Sequence, residues 1–158
     1  AVTALMEGTR PVLVEVQALA APSGYGTPQR VATGIDPKRL AVLLAVLERR
    51  GGANFAQLDV FVQVTAGVRL REPGADLAVA AALLSSLHNT PTPPDALYLG
   101  EIGLGGEIRP VSGMDRRITE ATRLGFRRVF CSSRSATSPS AATSPLSHVD
   151  ELVRALAA

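Results

Sequence analysis

The sequence predicts a mixed α/β domain of the α+β kind, and three observations carry that reading. A β-rich run, Val60-Phe61-Val62-Gln63-Val64, leads to a Pro73-Gly74 turn, after which an alanine- and leucine-rich helix opens. Stretches of alternating apolar residues are interleaved with stretches of helical period along the chain. The length of 158 residues at 46% hydrophobic content suits one domain with a sizeable core.

Taken in order, residues 1–10 read as a linker from an upstream domain, ending in Glu7-Gly8-Thr9-Arg10. The absence of an initial Met fits an excised piece. The domain itself is expected over 11–158. Pro11–Ala20 alternates and predicts a strand, residues 21–29 a loop with two Pro and two Gly, and Arg30–Thr33 a short returning strand. Asp36-Pro37 is a helix start, since Asp accepts from free N–H groups and Pro fits the first turn. Leu40, Leu43, Leu44 and Leu47 form its buried stripe. Arg49 and Arg50 suit its negative end, and Gly51-Gly52 stops it.

Leu58–Val68 predicts a central strand and Ala75–His88 a helix apolar almost all round, hence buried. Leu97–Val111 predicts a β-hairpin with Gly105-Gly106 at its tip. Ser112 is the expected cap of a third helix, with Met114, Ile118 and Ala121 inward and Gly125 ending it. Arg127–Cys131 predicts a strand, and 132–145, rich in Ser, Thr, Ala and Pro, a mobile loop. Ser147-His148-Val149-Asp150 resembles a capping box before a last helix carrying Val149, Leu152, Val153 and Leu156 on one face.

Composition excludes several function classes. The longest apolar runs are far short of a membrane span, so no membrane partner is expected. The single cysteine, Cys131, rules out a disulfide within the chain and fits a reducing cytoplasm. Two histidines and one cysteine, far apart in sequence, make no metal site. Gly100, Gly103, Gly105 and Gly106 lie between strands rather than opening a helix. They read as turn glycines, not a nucleotide loop, and no cofactor is expected in this domain.

Catalytic chemistry finds few groups. Lys38, the one lysine, lies in the first turn of a helix beside Arg39, where the charged form is favoured, the wrong state for a base. Ser85 and His88 are three apart on a helix and can touch, but His88 at a helix end has an ordinary role against the dipole. Asp76 and Asp115 fall in first turns, where acids are stabilised by the same dipole. Glu101 is expected to meet an arginine.

The turn Pro73-Gly74-Ala75-Asp76 resembles the Pro-Ser-Ala-Gly turn of Lon-type proteases. The run from Gly100-Glu101 through Gly103, Gly105-Gly106-Glu107 and Pro110-Val111 resembles the Lon hairpin. Ser112-Gly113-Met114-Asp115-Arg116-Arg117 sits where Lon proteases have Gly-Gly-aliphatic-Lys-Glu-Lys. The nucleophilic serine position falls on Gly74 and the general-base lysine position on Asp115. With Val14–Leu19, Arg39-Leu40-Ala41, Leu43–Leu47 and Asp59–Val62, the pattern from Arg10 to Cys131 resembles the C-terminal Lon-like domain of the bacterial RadA/Sms DNA-repair family.

That resemblance implies a Lon-protease-domain fold, akin to the second domain of a ribosomal small-subunit protein. It also implies a silent catalytic site, a hexameric ring and a DNA partner. The same resemblance implies an upstream RecA-like ATPase, absent from this chain, which would hold ATP and Mg and act on branched recombination intermediates. Two other readings stand beside it: an active peptidase with an unusual dyad, and a peptide-binding relic of a protease groove.

With a net charge of only +2, DNA binding needs clustered cations. Arg30, Lys38 and Arg39 flank the first helix start and are the first expected phosphate contacts. Arg69 and Arg71, alternating at a strand end and pointing the same way, come next. None of the first three belongs to the leucine stripe, so their replacement is expected to spare the fold. Arg116-Arg117 and Arg127-Arg128 form further pairs. Aromatics are only 4%, which favours backbone contact with duplex DNA over stacking on single strands.

Overall fold

In the computed structural model, residues 1–135 and 142–157 are described. A seven-stranded mixed sheet carries three helices on one face and one on the other. Its strands are β1 (Val2–Glu7), β2 (Arg10–Pro22), β3 (Arg30–Thr33), β4 (Leu58–Val64), β5 (Ala96–Leu99), β8 (Arg128–Ser132) and β9 (Ala142–Leu146). They lie in the order β3-β4-β2-β1-β5-β8-β9. Four of the neighbouring pairs are parallel and two, β1–β2 and β2–β4, antiparallel. A separate ribbon pairs β6 (Glu101–Ile102) with β7 (Ile108–Arg109).

The helices α1 (Pro37–Gly51), α2 (Asp76–Leu87) and α4 (Val149–Ala157) share one core with Val60, Val62, Tyr98 and Phe130. The rings of Tyr98 and Phe130 stack there with centroids 4.9 Å apart. α3 (Met114–Arg123) packs Met114, Ile118 and Ala121 against Ala4, Leu97, Leu99, Val129 and Cys131 on the opposite face. Every residue of α2 from Asp76 to Leu84 is buried, which its small alanines permit by letting sheet and helices approach closely. Each fully buried leucine stabilises the fold by roughly 1.5–3 kcal/mol.

α1 forms where the sequence predicts. The Asp36 carboxylate accepts from the Lys38 N–H at 3.0 Å, and Gly52, at φ 73°, ends the helix by donating to the Leu47 carbonyl.

The expected linker is instead the middle of the sheet. Val2–Glu7 pairs with β2 as a hairpin turning at Gly8-Thr9, with Gly8 at φ 65°. Thr3, Ala4 and Leu5 are buried from both faces, so a run this short carries no alternating signature.

The strand after Leu58 ends at Val64, because Thr65–Gly67 forms a 3-10 turn with Ala66 at φ 59°. The expected hairpin is split: β5 joins the main sheet, and only β6 and β7 pair across the Gly103–Gly106 tip. Gly113, at φ 69°, occupies the cap position of α3 expected for Ser112, and makes no side-chain bond. Of the expected mobile loop, Ala142–Pro145 belongs to β9, which runs parallel to β8; residues 136–141 lie outside the described residues. At the start of α4 the carboxylate of Glu151, not Asp150, reaches back to the Ser147 N–H at 3.2 Å.

Gly34 joins β3 to the turn before α1 at φ 85°. A Cβ there would stand 2.7 Å from the Val68 carbonyl oxygen and 2.8 Å from the Val64 Cβ. Gly34→Ala is therefore expected to cost about 2 kcal/mol, read as a lowered urea midpoint at unchanged slope. An unchanged midpoint would show that this junction yields freely.

Candidate functional site

The turn from Glu72 to Asp76 sits where β1, α1, α3 and the β6–β7 ribbon converge. The Gly74 carbonyl accepts from the Gly100 N–H, and the Gly100 carbonyl from the Leu77 N–H, both at 3.0 Å. Each end of the turn is held by an ion pair. Upstream, Glu72 takes the Arg117 guanidinium on one oxygen and the Met6 N–H on the other at 3.3 Å. Arg117 is only 3% exposed and also donates to the carbonyls of Ala4 at 2.6 Å and Ser112 at 2.9 Å. Downstream, the buried Asp76 accepts from two Arg39 nitrogens, Nε at 3.0 Å and Nη2, and from the Ile102 N–H at 3.0 Å. Burial pushes the Asp76 carboxyl above its usual range; the Arg39 and Ile102 hydrogen bonds pull the other way.

Gly74 is buried against Val111. A Cβ at this position would lie 2.8 Å from Val111 Cγ1, so a serine needs Val111 to move. Gly74 lines a hollow of about 300 Å³ with Glu72, Glu101, Val111, Ser112 and Arg117. Asp115 does not line it. It is exposed in the first turn of α3, in another hollow with Thr9, Pro11 and Thr119. Glu101 finds its arginine across the ribbon, Arg109, at 3.8 Å. The Ser85 hydroxyl donates to the Thr90 carbonyl at 2.7 Å, and His148 faces the Gly105 carbonyl and Asp150. Among the described residues, no group of three or more His, Cys, Asp or Glu is placed to hold a metal, and no helix is long and apolar enough to cross a membrane.

The five expected phosphate contacts divide into two sets. Arg39 is one-third exposed and tied to Asp76 and the Ile102 carbonyl. Arg30 donates to the carbonyls of Gln29, Leu58 and Phe55, fastening the base of the β2–β3 loop. Both thus have partners within the fold, which the expectation that replacing them spares the fold did not include. Lys38, Arg69 and Arg71 are exposed, and among the described residues none makes a side-chain hydrogen bond or ion pair. A cleft of about 270 Å³ brings Asp36 and Arg39 of the α1 start against Leu70 and Arg71, and Arg69 and Arg71 share the neighbouring hollow with Glu7. Lys38 stands at the α1 start and Arg69 and Arg71 on the facing segment.

Sequence reasoning missed Arg117, which it grouped with Arg116 as a basic pair. Helical spacing could have found it, since Arg117 falls three after Met114 and four before Ala121, on the inward face. The pairing of Arg39 with Asp76 spans 37 positions and has no local signal.

A family model described as subunit ChlI of Mg-chelatase matches residues 35–135. The chain belongs to that family. Its curated relatives are named DNA repair protein RadA. The one from Brucella abortus is 56% identical over 128 residues, covering 81% of this chain and 27% of the relative. Those from Halalkalibacterium halodurans and Escherichia coli K12 are each 52% identical over 129 residues, covering 82% of this chain and 28% of the relative. The chain thus spans little over a quarter of the length of the relatives it matches.

Arg39→Ala leaves Asp76 buried without its cation and is expected to lower stability by about 2–4 kcal/mol at neutral pH. An uncompensated carboxylate is relieved by taking up a proton. With the folded-state pKa raised further, the loss shrinks as pH falls through that pKa towards the ordinary aspartate range. Urea titrations at about pH 7.5 and pH 4.5 measure the difference; an equal loss at both would mean that Asp76 does not depend on Arg39.

Proposed function

We propose that the chain is a catalytically silent, Lon-like module of a RadA-type DNA-repair protein. It assembles as a ring of six and holds duplex DNA, without reading sequence, for a RecA-like ATPase in the same protein. The observation that carries the reading is the set of three exposed cations without partners among the described residues, Lys38 at the α1 start and Arg69 and Arg71 on the segment that faces that start, in a chain whose relatives are DNA-repair proteins.

Phosphates are met by cations free of internal partners, and neutralising them releases counterions from the duplex. Repetition of the patch around a rotation axis multiplies a field that one copy, at net +2, supplies only weakly. The relatives' name supports DNA repair as the setting, and a DNA partner implies the cytoplasm as the place. ATP and Mg belong in this reading to the ATPase part.

Silence towards peptides follows from the turn. Gly74 offers no nucleophile, Val111 fills the space beside it, and Asp115 opens onto a different hollow. The double variant Gly74→Ser, Asp115→Lys is accordingly expected to gain no peptidase activity. Stoichiometric labelling of the unaltered chain by a fluorophosphonate probe would overturn this part of the reading, and labelling of the variant would show that Val111 yields to a serine.

For DNA, Lys38→Ala, Arg69→Ala and Arg71→Ala should each weaken binding to unrelated duplexes about equally. Each should flatten the plot of log affinity against log salt by about 0.9. Fluorescence anisotropy at several salt concentrations measures this, with circular dichroism confirming the fold. A folded triple variant with unchanged slope would remove this patch as the DNA site.

A further inference from the structure

We propose that the free edge of β3 is a strand-addition site. Its occupant is an extended segment of another protein, with a large apolar residue beside Val31 and a lysine or arginine two positions away.

The argument starts from the ladder. β3 is the last strand of the sheet, bonded only to β4, in parallel register Arg30↔Val60 through Thr33↔Gln63. The Val60 N–H donates to the Gln29 carbonyl at 2.9 Å, which fixes the phase of the pairing. In a parallel ladder, alternate residues of a strand bond to one neighbour. Gln29, Val31 and Thr33 therefore face β4. The N–H and C=O groups of Arg30 and Ala32 face outward, without a partner among the described residues.

The opposite edge is built differently. The Ser133 N–H donates to the Leu146 carbonyl, so Leu146 and Ser144 face β8 and Pro145 takes an outward-facing position. Proline brings no N–H there, a common way of blunting a sheet edge. β3 carries no such device: its sequence is Arg-Val-Ala-Thr.

The side chains beside this edge extend the case. Leu19, Phe61 and Val31 stand in register across β2, β4 and β3. They lie on the face that α3 leaves bare. Leu19 is 56% exposed, Val31 43%, and Phe61 is half-buried. The apolar row ends at the open edge, so an added strand continues it with its own apolar residue. The same face of these three strands carries two acids, Glu15 and Asp59, and no lysine or arginine. That charge disfavours a phosphate backbone and suits a basic flank on the added strand, placed to meet Asp59. The exposed cations Lys38, Arg69 and Arg71 lie on other segments, so this surface and the proposed DNA patch are separable.

The test selects random peptides of about eight residues, displayed on phage, against the folded 158-residue chain. The enriched peptides are expected to alternate, with a central apolar residue and a basic residue two positions from it. Ala32→Pro removes one outward N–H while leaving the β3–β4 ladder intact, and should weaken the enriched peptides about tenfold or more. Val31→Ser should weaken them severalfold.

Amide hydrogen exchange gives a readout that does not depend on how the variants fold: saturating peptide should protect Arg30 and Ala32 in the unaltered chain. The proposal is overturned if no alternating peptide is enriched, if the enriched ones bind Ala32→Pro equally well, or if the protection falls elsewhere. It is also overturned if Ala32→Pro dissociates a self-associated chain, which would make a second copy the occupant.

Discussion

The fold depends on how the Glu72–Asp76 turn is held. This segment leaves the region of β4, passes beside β1 and opens the most buried helix of the molecule, α2. Two ion pairs fix its ends. Arg117 reaches Glu72 from α3 on one face of the sheet, and Arg39 reaches Asp76 from α1 on the other. The turn thereby ties both layers to the sheet between them. Neither pair is a surface ornament, because Arg117 and Asp76 are both almost wholly removed from water. Main-chain bonds through Gly100 add the β6–β7 ribbon to the same knot. Apolar packing supplies most of the stability, but the polar pairs decide which element meets which.

This division explains what was legible beforehand. Local rules give α1 in full: Asp36 and Pro37 at its start, the leucine stripe, and Gly52 at its end. They give α2 as well, because a helix apolar all round has few places to go. β1 is missed for a physical reason. A central strand has two buried faces and therefore no alternation, and six residues between polar flanks look like an approach rather than an element. Ala142–Leu146 is missed for the opposite reason. Its Ser, Thr and Pro content suits an edge strand, where only one side is paired, as readily as a loop.

The candidate site was legible in its outline and not in its wiring. Residues 72–76 stand out as a Pro-Gly turn before a helix, without Ser, Thr or Cys, and the structure buries Gly74 of that turn against Val111. Arg30, Lys38 and Arg39 look equivalent in sequence, yet two of them have partners within the fold. Arg30 satisfies carbonyls at Leu58 and Phe55, and Arg39 compensates a buried carboxylate. Charge alone says that a residue can meet a phosphate. Whether it is free to do so depends on partners tens of residues away.

The same clamp shapes what the neighbouring segment can offer to solvent. Leu70 packs against the core and its N–H donates to the Gly34 carbonyl at 2.7 Å, while Glu72 is anchored two residues on. Between those anchors an extended backbone has little freedom, and alternation sends Arg69 and Arg71 to the side away from Leu70. Two cations are thus presented from a backbone already ordered, so less conformational entropy is lost when they engage an anion. A protease needs a turn of this kind to aim a nucleophile. In the proposed Lon-like reading the position that would carry a nucleophile is Gly74, packed against Val111. On that reading the segment presents a fixed spacing of charge rather than a reacting atom, and such a spacing would suit a polymer of evenly spaced phosphates without preference among bases.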